Sequence, residues 1–431
     1  MRRTGALAVL AALAACPAAV QGPLGPSPAL PPPHATPSAV NFATVVGWPE
    51  GKAPTAPAGF EVARYAGGLD SPRWLHVLPN GDEHVAEART RVKGGGDDPK
   101  TRGQIASRGM GESADRITLL RDADRDGVAE TRSVLLEGLN QPFGVALLGD
   151  RLYVANTDGV LVFPYREGVT RIEDEGRKIL GLPAGGYNNH WTRNIVASPD
   201  GSRLYVTVGS ASNAGEYGLV EEERRAAILE IAPDGSGGRV YAGGLRNPNG
   251  LDFEPATGAM WAAVNERDEL GDELVPDYIT SVREGAFYGW PFSYDGRHED
   301  SRLKGQRPDL VARAVVPDYA VGAHVAALGF TFYDGEAFPA EYRGGAFVGR
   351  HGSWNRAAFS GYDVVFVPFA NGRPSGPPRP FLTGFVADEG RKEVHGRPCG
   401  LAVLPDGSLL VADDVGDAVW RVTGGHQGRA G

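Results

Sequence analysis

The sequence predicts an all-β chain folded as a six-bladed β-propeller of four-stranded antiparallel blades, its ring closed by the N-terminal strand. Three observations predict it. One phrase recurs six times; two-residue turns sit between alternating apolar runs inside the copies; and 61 glycines with 33 prolines are spread through the 431 residues without a period. That Gly and Pro content, about a fifth of the chain, suits many short strands joined by tight turns.

The phrase reads apolar-Gly-Leu, Pro, alternating apolar residues, Pro-Asp-Gly, alternating apolar residues. Its copies are GGLDSPRWLHVLPNGDEHVAEA from Gly67, EGLNQPFGVALLGDRLYVANTDGVLVF from Glu137 and HWTRNIVASPDGSRLYVTVGS from His190. GGLRNPNGLDFEPATGAMWAAVNE from Gly243, HVAALGFTFYDGEAFPAEYRGGAFVG from His324 and HGRPCGLAVLPDGSLLVADD from His395 complete the set. Period-2 apolar residues flanking Asp200-Gly201 or Asp406-Gly407 mark a β-hairpin. Each copy is therefore expected to open a small antiparallel sheet that packs on its neighbours around a central axis. The strand from Gly59 to Tyr65 precedes the first copy and Trp420-Arg421-Val422 ends the last, so pairing the two closes the ring and removes exposed edges. The one helical hint is a turn or two in EEERRAAILEI from Glu221.

The opening MRRTGALAVLAALAAC joins two arginines to an apolar run, Ala6 to Ala15, that is too short to span a bilayer. It reads as an export signal. Leu13 to Cys16 resembles a bacterial lipobox, so residues 1–16 are expected to be a signal peptide with Cys16 lipidated; cleavage near Ala19-Val20-Gln21, giving a soluble protein, is the alternative. Residues 17–57, rich in Pro, Ala and Ser, read as an extended tether, and residues 58–425 as the propeller. The expected location is the periplasm or cell envelope, with membrane attachment only through the lipid anchor. Beyond Cys16 only Cys399 remains, so no internal disulfide is expected.

A net charge of -10 with no basic block argues against a nucleic-acid partner and for a small molecule. In a propeller the turn entering each inner strand faces the central channel. His190, Arg246 with Asn247, and Arg397 hold this same relative place in three copies. Taken singly, such an arginine is an ion-pair partner; converging cations in one channel need an anion to receive them.

The segments LRNPNGL from Leu245, VNERDELGDE from Val264 and GAFYGWP from Gly285, in that order, resemble the PQQ-dependent glucose/sorbosone dehydrogenases over about residues 58 to 425. The segment RHGSWNR from Arg350 resembles the sorbosone dehydrogenase-like branch. The resemblance implies pyrroloquinoline quinone (PQQ) and calcium as cofactors, with His190 as the general base and Arg246 and Asn247 at the quinone. Arg397 would contact a cofactor carboxylate. Main-chain carbonyls at Glu266 and Arg267 would hold the calcium, an ion that prefers oxygen ligands. The chain departs from the family in two places. Ser210 stands where an Asp orients the histidine, and the cofactor lysine has no clear counterpart, His351 or Arg356 being its substitutes. The alternative for His351 and Trp354 is packing between blades.

Asp122, Asp124 and Asp126, followed by Gly127 and Glu130, place oxygens on one side of a tight loop, as in calcium-binding loops. A solvated acidic turn is the alternative, since Ser133 holds the place of a twelfth-position glutamate. Residues 93–112 form a polar insertion without a phosphate-loop pattern, read as a mobile rim loop.

Three functions are consistent with these features. The first is an oxidoreductase oxidising an aldose, a sorbosone-like or a related sugar with PQQ and calcium, passing electrons to a separate cytochrome or quinone, since no haem-attachment motif occurs. The second is a non-catalytic, lipid-anchored propeller that binds a glycan or a protein. The third is a metal-dependent lactonase, which needs acidic and amide ligands converging on a metal.

Overall fold

The computed structural model describes residues 23–92 and 98–425, so the export signal and Cys16 lie outside the described residues. Each repeat copy opens one antiparallel sheet. The first sheet runs Pro72–Val77, Glu83–Glu87, Arg116–Arg121 and Thr131–Leu136; the second Val145–Leu148, Arg151–Asn156, Gly159–Pro164 and Arg177–Gly181. The third comprises Ile195–Ala197, Leu204–Val208, Ala227–Ile231 and Arg239–Gly243. The fourth comprises Asn247–Phe253, Met260–Asn265, Pro276–Ser281 and Tyr319–Ala323, with Leu24–Gly25 added at its outer edge. The fifth takes Ala327–Phe332, Ala346–Arg350, Asp363–Val367 and Arg379–Leu382; the sixth takes Pro398–Val403, Leu409–Asp413, Ala418–Gly424 and then the early strand Phe60–Gly67. The expected all-β class is borne out.

The local reasons are those of the sequence pattern. In the sixth sheet Asp406-Gly407 turns the chain with Gly407 at φ +82°, and Leu401 then faces Val411 across the hairpin. Phe60–Gly67 pairs antiparallel with Ala418–Gly424, Val62 opposite Val422, with a bulge between Arg64 and Ala66. The core lies between sheet faces. Trp74, Ile117, Phe143 and Val154 pack the first sheet on the second, while Leu75 and Val85 meet Tyr65, Leu410 and Val419 between the first and the sixth. Burying each large apolar side chain contributes about 1.5–3 kcal/mol.

The opening strand of each sheet lies against that of the next, and Pro398–Val403 lies against Pro72–Val77. One cavity takes a residue from all six: His76, Ala146, Val196, Asp252, Thr331 and Ala402. The heads of these strands therefore gather at the opposite end.

Two stretches differ from expectation. Residues 23–57, read as a tether, are packed on the sheets: Leu24 pairs with Val321, Thr44–Val45 runs parallel to Glu393–Val394, and the Trp48 indole donates to Asp413 at 2.6 Å. A Pro-rich extended backbone leaves its N–H and C=O groups free to pair with rim loops, and Phe42 and Trp48 supply apolar anchors; such a segment has no periodicity to betray it. In the polar insertion, Pro99–Ala106 is a helix capped by Asp98, which accepts from the N–H groups of Lys100 and Thr101 at 3.0 Å. Lys93 to Asp97 lie outside the described residues. The hint at Glu221 corresponds to a 3₁₀ turn, Leu219–Glu222.

Candidate active site

A cavity of about 220 Å³ opens at the heads of the inner strands, and His190, Arg246, Asn247, Glu266, His351 and Arg397 all line it. His190 sits just ahead of the third sheet. Its Nδ1 lies 2.9 Å from the main-chain oxygen of Ser210 and 2.9 Å from its hydroxyl, and that hydroxyl donates to the Ser212 carbonyl at 2.6 Å. Both Ser210 oxygens are thus acceptors, which fixes the proton on Nδ1 and leaves the lone pair on Nε2. Burial and the nearby Arg246 guanidinium push this imidazole down to about 3, so it stays neutral. Gly209 permits the approach: a Cβ there would run into Asn247 Oδ1 and His190 Cβ.

The cations are held from behind. Arg246 donates to the main-chain oxygen of Asn213 at 2.9 Å and to its side-chain oxygen at 2.9 Å, and its Nη2 lies 3.2 Å from Asp268. Asp268 also faces His324 at 3.3 Å, whose other nitrogen donates to the Gly271 carbonyl at 2.8 Å. Despite burial, these partners hold the Asp268 carboxyl down at about 2 and raise His324. Arg397 donates to the His351 and Gly352 carbonyls at 3.0 and 2.7 Å and lies over the Tyr362 ring. His351 Nε2 donates to Asp414 at 2.9 Å, and Arg73 pairs with the same carboxylate.

The Asn247 side-chain oxygen is buried without a protein partner. Among the described residues no donor reaches the carbonyls of Glu266 or Arg267; Glu266 N–H donates to Asp277 at 2.8 Å. Burial raises the Glu266 carboxyl to about 7 and that of Asp277 to about 6. The Arg267 side chain turns away into a buried pair with Asp300.

Arg356 is not brought to the cavity. It pairs with Glu273 and donates to the Asp272 carbonyl at 2.9 Å, because the loop after His351 turns its side chain toward the segment following Leu270. Asp122, Asp124 and Asp126 lie on the turn between the third and fourth strands of the first sheet, outside the cavity. Glu130 joins them, all four offering oxygens within 4.8 Å of one another.

Sequence reasoning missed Arg73, His324, Phe42, Lys100 and Trp354 as lining residues. Arg73 and His324 lie near the openings of the first and fifth copies but not at the repeat position of Arg397: Arg73 follows Pro72, and His324 matches His395. Lys100 and Phe42 belong to no repeat.

The glucose/sorbosone dehydrogenase family model matches residues 153–353, and a TrAA12-like model matches residues 308–425. An uncharacterized protein of Borreliella burgdorferi is 28% identical over 300 residues, which is 66% of this chain and 76% of that one. The aldose sugar dehydrogenase YliI of Escherichia coli is 27% identical over 110 residues, 25% of this chain and 28% of its own length. Among solved structures, the holo form of the pyranose dehydrogenase PQQ domain from Coprinopsis cinerea superposes with a TM-score of 0.69 at 21% identity, covering 89% of this chain and 100% of that one. The PQQ-bound aldose sugar dehydrogenase of Streptomyces coelicolor gives 0.57 at 19% identity, covering 86% and 99%. The motif resemblance and the family model thus agree, and the structural likeness shows the shared fold.

Proposed function

We propose that this relative of the glucose/sorbosone dehydrogenases is a PQQ- and calcium-dependent sugar dehydrogenase, its six sheets the blades of a propeller ring closed by Phe60–Gly67. The observation that carries the reading is the His190–Ser210 pair: a neutral imidazole with Nδ1 occupied and Nε2 left free, lining one cavity with Arg73, Arg246 and Arg397.

The donor set fits the cofactor. Guanidinium groups suit a ligand with three carboxylates, and the unpartnered Asn247 oxygen can accept from a ligand N–H or hydroxyl. The free carbonyls of Glu266 and Arg267 and the buried Glu266 and Asp277 carboxyls suit a calcium ion. PQQ supplies, when bound, the acceptor for the hydride of the sugar C–H. His190 Nε2 takes the proton of the sugar hydroxyl, and Ser210 keeps the ring in the tautomer that can do so. Arg246, fixed by Asn213 and Asp268, offsets the negative charge that develops. The substrate is an aldose or a sorbosone-like sugar, the electrons leave to a separate cytochrome or quinone, and the protein works in the cell envelope, anchored through Cys16.

The test is dye-linked oxidation across a sugar panel by purified apoprotein with PQQ and calcium. Activity that requires both is expected. No PQQ binding by calorimetry together with no turnover of any sugar overturns the reading.

A further inference from the structure

Phe42, Lys100 and Gln104, which line the His190 cavity, come from segments outside the repeat copies. Phe42, from the N-terminal stretch, stacks on Trp354 with ring centroids 5.7 Å apart and planes within 7°. The stretch is fastened there: Asn41 donates through its main-chain N–H to the Trp354 carbonyl and through Nδ2 to the Ala357 carbonyl, each at 2.8 Å, and Asn355 Nδ2 donates to the Ala39 carbonyl at 3.0 Å. The helix Pro99–Ala106 closes on the other side, Gly103 lying so near Phe42 that a Cβ would overlap its ring. Lys100 and Gln104, one turn apart on this helix, both line the cavity, and the Lys100 ammonium stands 4.3 Å from the Trp354 ring centroid.

The charge pattern singles out Lys100. Arg73 has Asp414 and Arg246 has Asp268. His324 shares Asp268 as well, and Arg397 is held by two carbonyls. Lys100 is exposed at the mouth of the cavity, over the Trp354 ring; among the described residues no carboxylate lies within 4.0 Å of it, and Asp268, already taken by Arg246 and His324, feels its charge only from farther off. An ammonium fixed beside a partly enclosed space attracts an anion more strongly than one on open surface. We propose that Lys100, seated on the Phe42–Trp354 wall, is a carboxylate-binding residue that pairs with an acid group of the ligand occupying the cavity. Carboxylates come from two sources under the proposed function, the cofactor or a sugar-acid substrate. The inference rests on that function for the ligand's identity and on the wall itself for its chemistry.

The experiment uses the full chain as wild type, Lys100→Gln, Lys100→Arg and, as a control outside the cavity, Lys52→Gln. Calorimetry measures binding of PQQ with calcium and of benzene-1,3,5-tricarboxylate, a plain polycarboxylate; steady-state kinetics measures KM for a uronic acid and for its neutral aldose. Lys100→Gln is expected to weaken binding or raise KM roughly tenfold for a carboxylate ligand, with the Arg variant near wild type and Lys52→Gln unchanged. Weaker PQQ binding assigns the contact to the cofactor; a higher KM for the uronic acid alone assigns it to substrate. Lys100-dependent tricarboxylate binding without any PQQ binding sustains the carboxylate site and removes the quinone reading. Values within about twofold of wild type throughout, or a wild type that binds neither probe and oxidises neither sugar, overturn the inference.

Discussion

His190 Nδ1 stands 2.9 Å from two oxygens of one residue, the carbonyl and the hydroxyl of Ser210. Either alone suffices to hold the proton on Nδ1, and this redundancy sets the first prediction.

Ser210→Ala removes the hydroxyl and keeps the carbonyl, so kcat for dye-linked sugar oxidation is expected to fall by less than about tenfold. His190→Ala removes the base and is expected to lower kcat by roughly 10²–10⁴ while PQQ still binds. Equal losses in the two variants would show that the hydroxyl, not the tautomer, is what matters.

Asp414 receives Arg73 and His351 at 2% exposure, and the two hold its carboxyl well below the usual carboxylate range against a large cost of burial. Asp414→Asn leaves Arg73, only 14% exposed, without its counter-charge. The expected loss is about 3–5 kcal/mol in urea unfolding, the range for removing one partner of a buried pair. Asp414→Asn within about 1 kcal/mol of wild type would show the pair to be dispensable.

His84 is fully buried opposite His76 in the first sheet, with neither ring nitrogen hydrogen-bonded. Burial pushes His84 down to about 3 and His76 to about 4. The unfolded chain, titrating near 6.5, takes up these protons first, so their contribution is complete above about pH 6.5 and is lost as pH falls toward the folded values. His84→Leu removes one such group and an unsatisfied polar ring. Its stability relative to wild type should rise by roughly 2 kcal/mol between pH 6.5 and pH 5, as read from urea unfolding at the two pH values. Parallel pH curves would remove the assignment.

The Asp122, Asp124, Asp126 and Glu130 cluster is expected to bind calcium. After chelation, calcium at about a hundred times its dissociation constant should stabilise the protein by roughly 2.7 kcal/mol through this loop. Asp124→Asn combined with Glu130→Gln should abolish the increment while leaving calcium-dependent PQQ binding in place. An increment equal to wild type places the stabilising ion elsewhere.

How far the sequence could be read follows from what repeats. Hairpins such as Pro398–Val403 with Leu409–Asp413 were legible because period-2 apolar residues and an Asp-Gly turn point the same way. His190, Arg246 and Arg397 were legible as lining residues because repeat equivalence carries one position from copy to copy. The same logic does not yield Arg73, which follows Pro72 whereas Arg397 precedes Pro398, nor His324, which matches His395 rather than Arg397. Arg356 was misplaced because nearness in sequence to His351 does not fix the direction of a loop side chain. Glu130 was undervalued because a hairpin turn returns a carboxylate to the loop sooner than a helix-flanked loop does. Phe42 and Lys100 reach the cavity from segments with neither period nor repeat, where only tertiary contacts decide.

The pairing of Phe60–Gly67 with Ala418–Gly424 has a consequence for biosynthesis. The first of these strands leaves the ribosome and waits, unpaired, while every residue from Gly68 to Asp417 is made, because its partner begins only at Ala418. The four strands that open and build each of the first five sheets follow one another in sequence and can form as the chain emerges; the sixth, which needs Phe60–Gly67, cannot. A polypeptide stopped short of Ala418 leaves Tyr65, otherwise fully buried, without its cover. Completion of this sheet therefore reports that synthesis has passed Gly424, and quality-control proteases have an exposed edge by which to recognise chains in which it has not.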